Sequence, residues 1–341
     1  MIGGGGDPAA TRRGFFRGAA GLAGILALGK PPAFAQTVPK KLVYAHSIPL
    51  PESGAVAQDW MCREITQRSN GELLLDFQGG TLLTKEMEVM NAVKAGNIAM
   101  GDPAGASGTV FPEMAVLAVP YLVSSYDQSY RMLNGAVGKK LDETFQQKYG
   151  VKVLYFYDYG FRHFWNNRRP INEPRDLRGL KLRVQQAKIY GDTVNGLGGV
   201  AVPMSFSEVI TAAQQGVIDG ADLPVVNMVP LRAYEVSKYY SLTGHNYTPT
   251  VSVMNLAAWN GLKTEQQKLF LDVAMEAQAR VRKATESVDT LASAKEQLEP
   301  RGMTVNQPDH AAFRKVAQDK IWPQYRSLNP ELWDLVLATP A

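Results

Sequence analysis

Two arginines sit where an uncompensated charge is costly. Arg183 lies inside the apolar run Gly179-Leu180-Lys181-Leu182-Arg183-Val184, and Arg162 lies among aromatics in Tyr159-Gly160-Phe161-Arg162-His163-Phe164-Trp165. A guanidinium in apolar surroundings needs an anion, and its planar fork matches a carboxylate bidentately. The anion could be an Asp or Glu of the chain or a bound ligand, and these residues alone leave both open. Nothing nearby reads as a nucleophile with its base. The chain has no G-x-S-x-G, no G-x-x-x-x-G-K-[ST] and no G-x-G-x-x-G. Gly196-Leu197-Gly198-Gly199 closes a helical stretch and reads as a helix stop. His46, His163, His245 and His310 lack metal-ligand spacing, and Cys62, the only cysteine, reads as a small core residue. Neither a metal nor a cofactor is expected.

The elements that must position these arginines alternate. Lys41 to His46 reads as a strand, Ser53 to Arg68 as a helix with Val56, Trp60 and Ile65 inward, and Leu73 to Phe77 as a strand. A helix over 84–95 opens on Thr84 as N-cap, and Asn97 to Gly101 is a third strand. The second half repeats the pattern. Val151 to Tyr157 and Leu180 to Val184 are strands, and Ile189 to Leu197 and Phe206 to Gln215 are helices. Val217 to Ala221 and Tyr239 to Thr243 are short strands. Strand–helix alternation in both halves predicts two α/β lobes. Thr264 to Glu299 contains no glycine or proline, and Ala277, Val281, Ala284, Val288 and Leu291 form a helical stripe. It is one helix of roughly 54 Å lying across both lobes, or two helices with a kink.

The amino-terminal residues bound the location. Thr11-Arg12-Arg13-Gly14-Phe15-Phe16-Arg17, the apolar stretch Ala19 to Leu28 and Ala33-Phe34-Ala35 together read as a cleavable export leader. Its Arg-Arg pair points to the twin-arginine route. The apolar stretch is too short to span a bilayer, which takes about 20 residues. The expected mature protein starts near Gln36 and is soluble and periplasmic. About 306 residues remain, enough for two domains. The leader holds four of the 36 basic residues and one of the 32 acidic ones, leaving 32 against 31, a net charge of +1. A near-neutral surface gives no electrostatic case for nucleic acid or anionic membrane.

Several blocks together carry a family resemblance. They are Phe111-Pro112-Glu113, Val119-Pro120-Tyr121, Leu180 to Val184, Pro203-Met204-Ser205-Phe206-Ser207-Glu208-Val209, Ala213 to Ala221 and Tyr234 to Thr243, then the long helix after Trp259. In order and spacing, from about residue 40 to 335, the chain resembles the solute-binding proteins of tripartite ATP-independent periplasmic (TRAP) transporters. The resemblance implies an α/β periplasmic binding protein fold of two lobes that close on a small organic acid, with the long helix spanning both. Lobe one would be 40–160 plus 249–288, and lobe two 161–248 plus 289–341. Arg183 takes the place of the family arginine that pairs with the ligand carboxylate. Arg162 takes that of a second arginine, one residue further upstream than usual. Phe206 takes that of the aromatic packed on the ligand.

One departure stands out. Where many members place an asparagine that reaches the ligand, this chain has Gly220-Ala221-Asp222-Leu223-Pro224. Either Asp222 takes over polar recognition or the ligand is less polar on that side. Ser47 in the loop to Glu52, Asp102, Trp165 and Asn227 are weaker pocket candidates. The function implied is capture of a carboxylate and its delivery to a TRAP membrane permease by a monomeric receptor. A sensor subunit serving a receptor kinase would use the same cleft. A secreted enzyme would need a cofactor motif or catalytic constellation that the residues do not show.

Overall fold

The structure is a computed structural model and describes residues 40–340. The expected export leader lies outside the described residues. In the first half, β1 (Lys40–His46), α1 (Ser53–Arg68), β2 (Leu73–Gly79), α2 (Glu86–Lys94) and β3 (Met100–Gly101) follow one another, and β1 pairs in parallel with both β2 and β3. The helix faces differ in detail from the pattern expected. Val56 is 45% exposed, and the buried face of α1 is Ala57, Met61, Cys62 and Ile65. Thr84 does not cap α2. Lys85 holds the N-cap position in extended conformation, and Glu86 and Glu88 lie in the first turn, where negative charge is favoured.

The helices α3 (Tyr126–Leu133) and α4 (Ala136–Tyr149) lead into β4 (Val151–Asn166). β4 is 16 residues long, and its antiparallel partner β8 (Tyr239–Asn255) is 17. Both exceed the short strands expected, because register shifts at Val153/Tyr155, Asp158/Phe161 and Arg162/Phe164 break the alternation that a sequence would show. Gly160, at the middle shift, adopts φ +86, a conformation that suits glycine.

Between the two long strands come β5 (Lys181–Val184), α5 (Lys188–Leu197), β6 (Val200–Pro203) and β7 (Gly220–Leu223). The sheet order is β2-β1-β3-β8-β4-β7-β5-β6, and β9 (Thr304–Asn306) pairs with the start of β8. The lobes therefore share a spine. β3 pairs with one end of β8, while β7 and β9 pair with the other ends of the β4–β8 ribbon.

The long helical stretch resolves into α6 (Thr264–Val288) and α7 (Leu291–Leu298), with Thr290 capping α7 through Ser293 N at 3.1 Å. At 25 residues α6 runs roughly 37 Å. It packs on α1 and β4, and α7 packs on β9. The last helix, α8 (Pro330–Ala338), departs from the expected division at 289–341. It packs against α4, where Lys140 and Glu331 pair at 2.8 Å. Tyr44, Met61, Phe270 and Val281 form the core between the first-half sheet and α1/α6. Trp165, Val209, Leu223 and Leu298 form that of the second half. Each large apolar side chain so buried stabilises by about 1.5–3 kcal/mol.

Candidate functional site

β5 lies between β6 and β7, parallel to both. Such a strand is covered on both faces and reads as an apolar run, which is why Arg183 is anomalous within it. Arg183 is 2% exposed. Its Nε and Nη2 donate to the Met204 carbonyl at 3.1 and 2.9 Å, while Nη1 is buried without any partner from the chain. Burial, and then the nearby Arg162 charge, lower its pKa to about 10, so it remains a cation at neutral pH. Phe206, which follows β6, places its ring centroid 6.0 Å from the guanidinium carbon. Open crevices beyond the carboxyl ends of parallel strands are where α/β folds bind ligands, and Gln185 follows Val184 at that place.

Arg162 is different. It comes from β4 and meets Asp222 on the neighbouring strand β7, Nε to Oδ2 at 2.7 Å and Nη2 to Oδ1 at 2.8 Å, with a further bond to the Asp222 carbonyl. Both side chains are buried. The Tyr190 ring lies 4.9 Å from the guanidinium carbon. Burial alone would raise the Asp222 pKa, but the Arg162 charge outweighs it and holds the carboxyl at about 2. His245 Nε2 is 3.6 Å from Asp222, but burial lowers its pKa to about 4, so no ion pair forms there at neutral pH. The anion for Arg162 is thus the chain's own. Asp222 is not among the residues that line the cleft and its carboxylate is paired with Arg162, unlike the alternative in which it takes over polar recognition of the ligand.

The cleft opens between the two halves of the chain and is lined from both. Ile48, Glu86, Gly105 and Tyr159 come from the first half, and Arg162, Arg183, Gln185, Phe206 and Asn227 from the second. A second cavity adjoins it through Ile48, Glu86, Phe206 and Asn227, and Ser47 lines that one. Asp102 and Trp165 line neither. Trp165 is fully buried in the second-half core. Asp102 accepts from Tyr44 Oη at 3.1 Å and Ala104 N at 2.8 Å, and bonds to His46 Nδ1 at 2.9 Å.

His46 also reaches Glu52 at 3.2 Å, and Glu52 accepts the Gly54 and Ala55 amides at the start of α1. Against burial, which lowers it, the two carboxylates raise the His46 pKa to about 10. This buried Asp102–His46–Glu52 chain fixes the ends of the Ser47–Pro51 loop, whose Ile48 enters the cleft. Asp102 positions the loop rather than touching the cavity. His46, Glu86, Gly105, Tyr159 and Gln185 were not singled out from sequence. Only Gln185 carried a usable signal, its place just past the end of β5.

Among the described residues no three His, Cys, Asp or Glu side chains converge as metal ligands, and no helix is long and apolar enough to cross a membrane.

Residues 50–327 match the model of the bacterial extracellular solute-binding proteins, family 7. A solute-binding protein of Verminephrobacter eiseniae is 34% identical over 73% of this chain and 74% of its own length. Among solved structures, a TRAP periplasmic solute-binding protein from Bordetella, with density assigned as pantoate, superposes with a TM-score of 0.82. It is 27% identical, and the match covers 89% of this chain and 100% of that one. One from Roseobacter denitrificans with bound β-D-glucuronate gives a TM-score of 0.82 at 28% identity, over 88% and 100% of the two chains.

Proposed function

Because this chain belongs to family 7 of the bacterial extracellular solute-binding proteins, we propose that its cleft captures a small organic carboxylate in the periplasm for delivery to a TRAP membrane permease. The observation that carries the reading is Arg183, which lines the cleft and whose Nη1 is a buried cationic nitrogen with no partner from the chain. A charge held out of water requires an anion, and here the chain offers none to Arg183, whereas it offers Asp222 to Arg162. Phe206 supplies the packing face. Residues of both halves line the cavity, so a ligand that touches both shifts the population toward the closed form.

The test is titration calorimetry of the mature protein, from about Gln36, with an acid found by thermal-shift screening. Arg183→Ala is expected to weaken binding by about 2–5 kcal/mol without lowering the melting temperature of the ligand-free protein. Unchanged affinity would defeat the assignment.

A further inference from the structure

The balance of charge in the cleft narrows the ligand class. Four ionisable side chains line the two adjoining cavities besides the tyrosine: Arg162, Arg183, Glu52 and Glu86. Arg162 is matched by Asp222. Glu52 is matched by His46 and by the α1 amides. That leaves Arg183 and Glu86. Glu86 opens α2 and lines both cavities. Its neighbour Lys85 pairs with Glu88 instead, at 3.4 Å. Beside Arg183, the buried Gln185 Oε1 is an acceptor with no donor from the chain. So the cleft offers one unmatched cation for an anionic group, and its one unmatched anion is Glu86. Of its buried orphaned polar atoms, Gln185 Oε1 accepts a hydrogen bond and Tyr159 Oη can donate or accept one.

We infer that the ligand is a monocarboxylate whose carboxylate meets Arg183 and which carries a hydrogen-bond donor, hydroxyl or ammonium, for Glu86 and Gln185, and that Glu86 rejects a second carboxylate. This rests on the carboxylate-receptor reading above. A dicarboxylate would place its second charge in a cleft with no spare cation and with the Glu86 carboxylate in its lining. Like charges so placed are strongly unfavourable, and rejection of the wrong partner by repulsion is how specificity is commonly built. A hydroxyl or an ammonium at the same place gives Glu86 and Gln185 the donors they lack.

The experiment compares acids that differ in one terminal group. Calorimetry and thermal shift would be run with gluconate against glucarate, and with 4-hydroxybutyrate and 4-aminobutyrate against succinate, within a matched panel of three to seven carbons. The protein would first be unfolded and refolded to free the cleft. The expected result is binding by at least one monocarboxylate, with its matched dicarboxylate at least about a hundredfold weaker, and a gap narrowed about tenfold or more in Glu86→Gln. Preference for the hydroxy or the amino acid identifies the donor, and either supports the inference. Dicarboxylates binding as well as their partners, or a gap that Glu86→Gln leaves unchanged, would overturn it while leaving the receptor reading intact. No binding by any acid of the panel would instead remove the receptor reading and the inference with it.

Discussion

Around Asp289 the chain buries charge and matches it, while around Arg183 it buries charge and leaves a nitrogen unmatched. Asp289 sits at the break between α6 and α7, against the middle of β4. Its carboxylate accepts from Tyr126 Oη, from Phe161 N at 3.1 Å and from His163 Nε2 at 2.9 Å. His163 Nδ1 in turn accepts the Gly244 amide at 2.9 Å, so Nε2 carries the hydrogen donated to Asp289. Nearby Asp158 accepts from Tyr247 Oη at 3.0 Å and Gly160 N at 2.8 Å. These contacts join α3, β4, β8 and the α6–α7 break, where the lobes share their spine. The cleft repeats this completeness at Arg162–Asp222, and the adjoining cavity at His46–Glu52. The difference separates two uses of buried charge: a completed network holds elements together, and an incomplete one waits for a molecule from outside.

The sharpest way to break the comparison is to make the matched arginine resemble the unmatched one. Asp222→Ala leaves Arg162 buried without an anion, and is expected to cost about 3–5 kcal/mol of stability in urea unfolding. Replacing Arg162 and Asp222 together by apolar residues of similar size should recover much of that loss. The wild-type pair also has an acid signature. The folded Asp222 pKa of about 2 lies below its unfolded value, so the stability it contributes is complete above about pH 4 and is lost as pH falls through about 2. If Asp222→Ala unfolds at the wild-type urea concentration, the pair is not what orders this region and Asp222 is free to serve a ligand.

Asp158 tests the other region. Burial raises its pKa to about 7. Between about pH 4 and 7 the folded chain holds that proton and the unfolded chain releases it, so stability falls as pH rises through this window. Asp158→Asn removes the titration. It is expected to flatten the melting temperature across the window and to gain roughly 2–4 kcal/mol relative to wild type at pH 8. An identical slope in both proteins would show that this carboxylate is already ionised at the spine.

What the sequence disclosed follows from how residues stand out. Arg183 was visible because a cation inside an apolar strand is anomalous, Arg162 because it is a cation among aromatics, and Phe206 because neighbouring blocks carry a family pattern. Glu86 and Gln185 look like any surface polar residue, and only the meeting of the two halves brings them into one cavity. Trp165 is one of the weaker pocket candidates of the sequence, but the register shift at Arg162/Phe164 changes which face each residue takes, and the indole lies in the core. The alternation of strands and helices was plain. The length of β4 and β8 was not, since bulges erase the period. The break at Asp289–Thr290 has no glycine or proline to announce it. Its cause is tertiary, the contacts that Asp289 makes with Tyr126, Phe161 and His163.

The finest test concerns how the halves meet at the cleft. Gly105 of the first half faces Gln185 of the second so closely that a Cβ added there would overlap the Gln185 amide nitrogen. That amide is the end of a flexible side chain, so Gly105→Ala displaces Gln185 rather than the backbone. The fold keeps its stability, and the ligand loses one correctly placed acceptor. Affinity is expected to fall by about 0.5–1.5 kcal/mol, the usual worth of a hydrogen bond, with the melting temperature unchanged. In a Gln185→Ala background the same change has nothing to displace. The two losses should therefore be markedly less than additive, since residues in contact couple where distant ones do not. Strictly additive losses would mean that Gly105 acts on closure independently of Gln185. A fall in melting temperature with affinity retained would put the contact among the matched, structural ones, and the cleft would then resemble the spine more than the orphaned nitrogen of Arg183 implies.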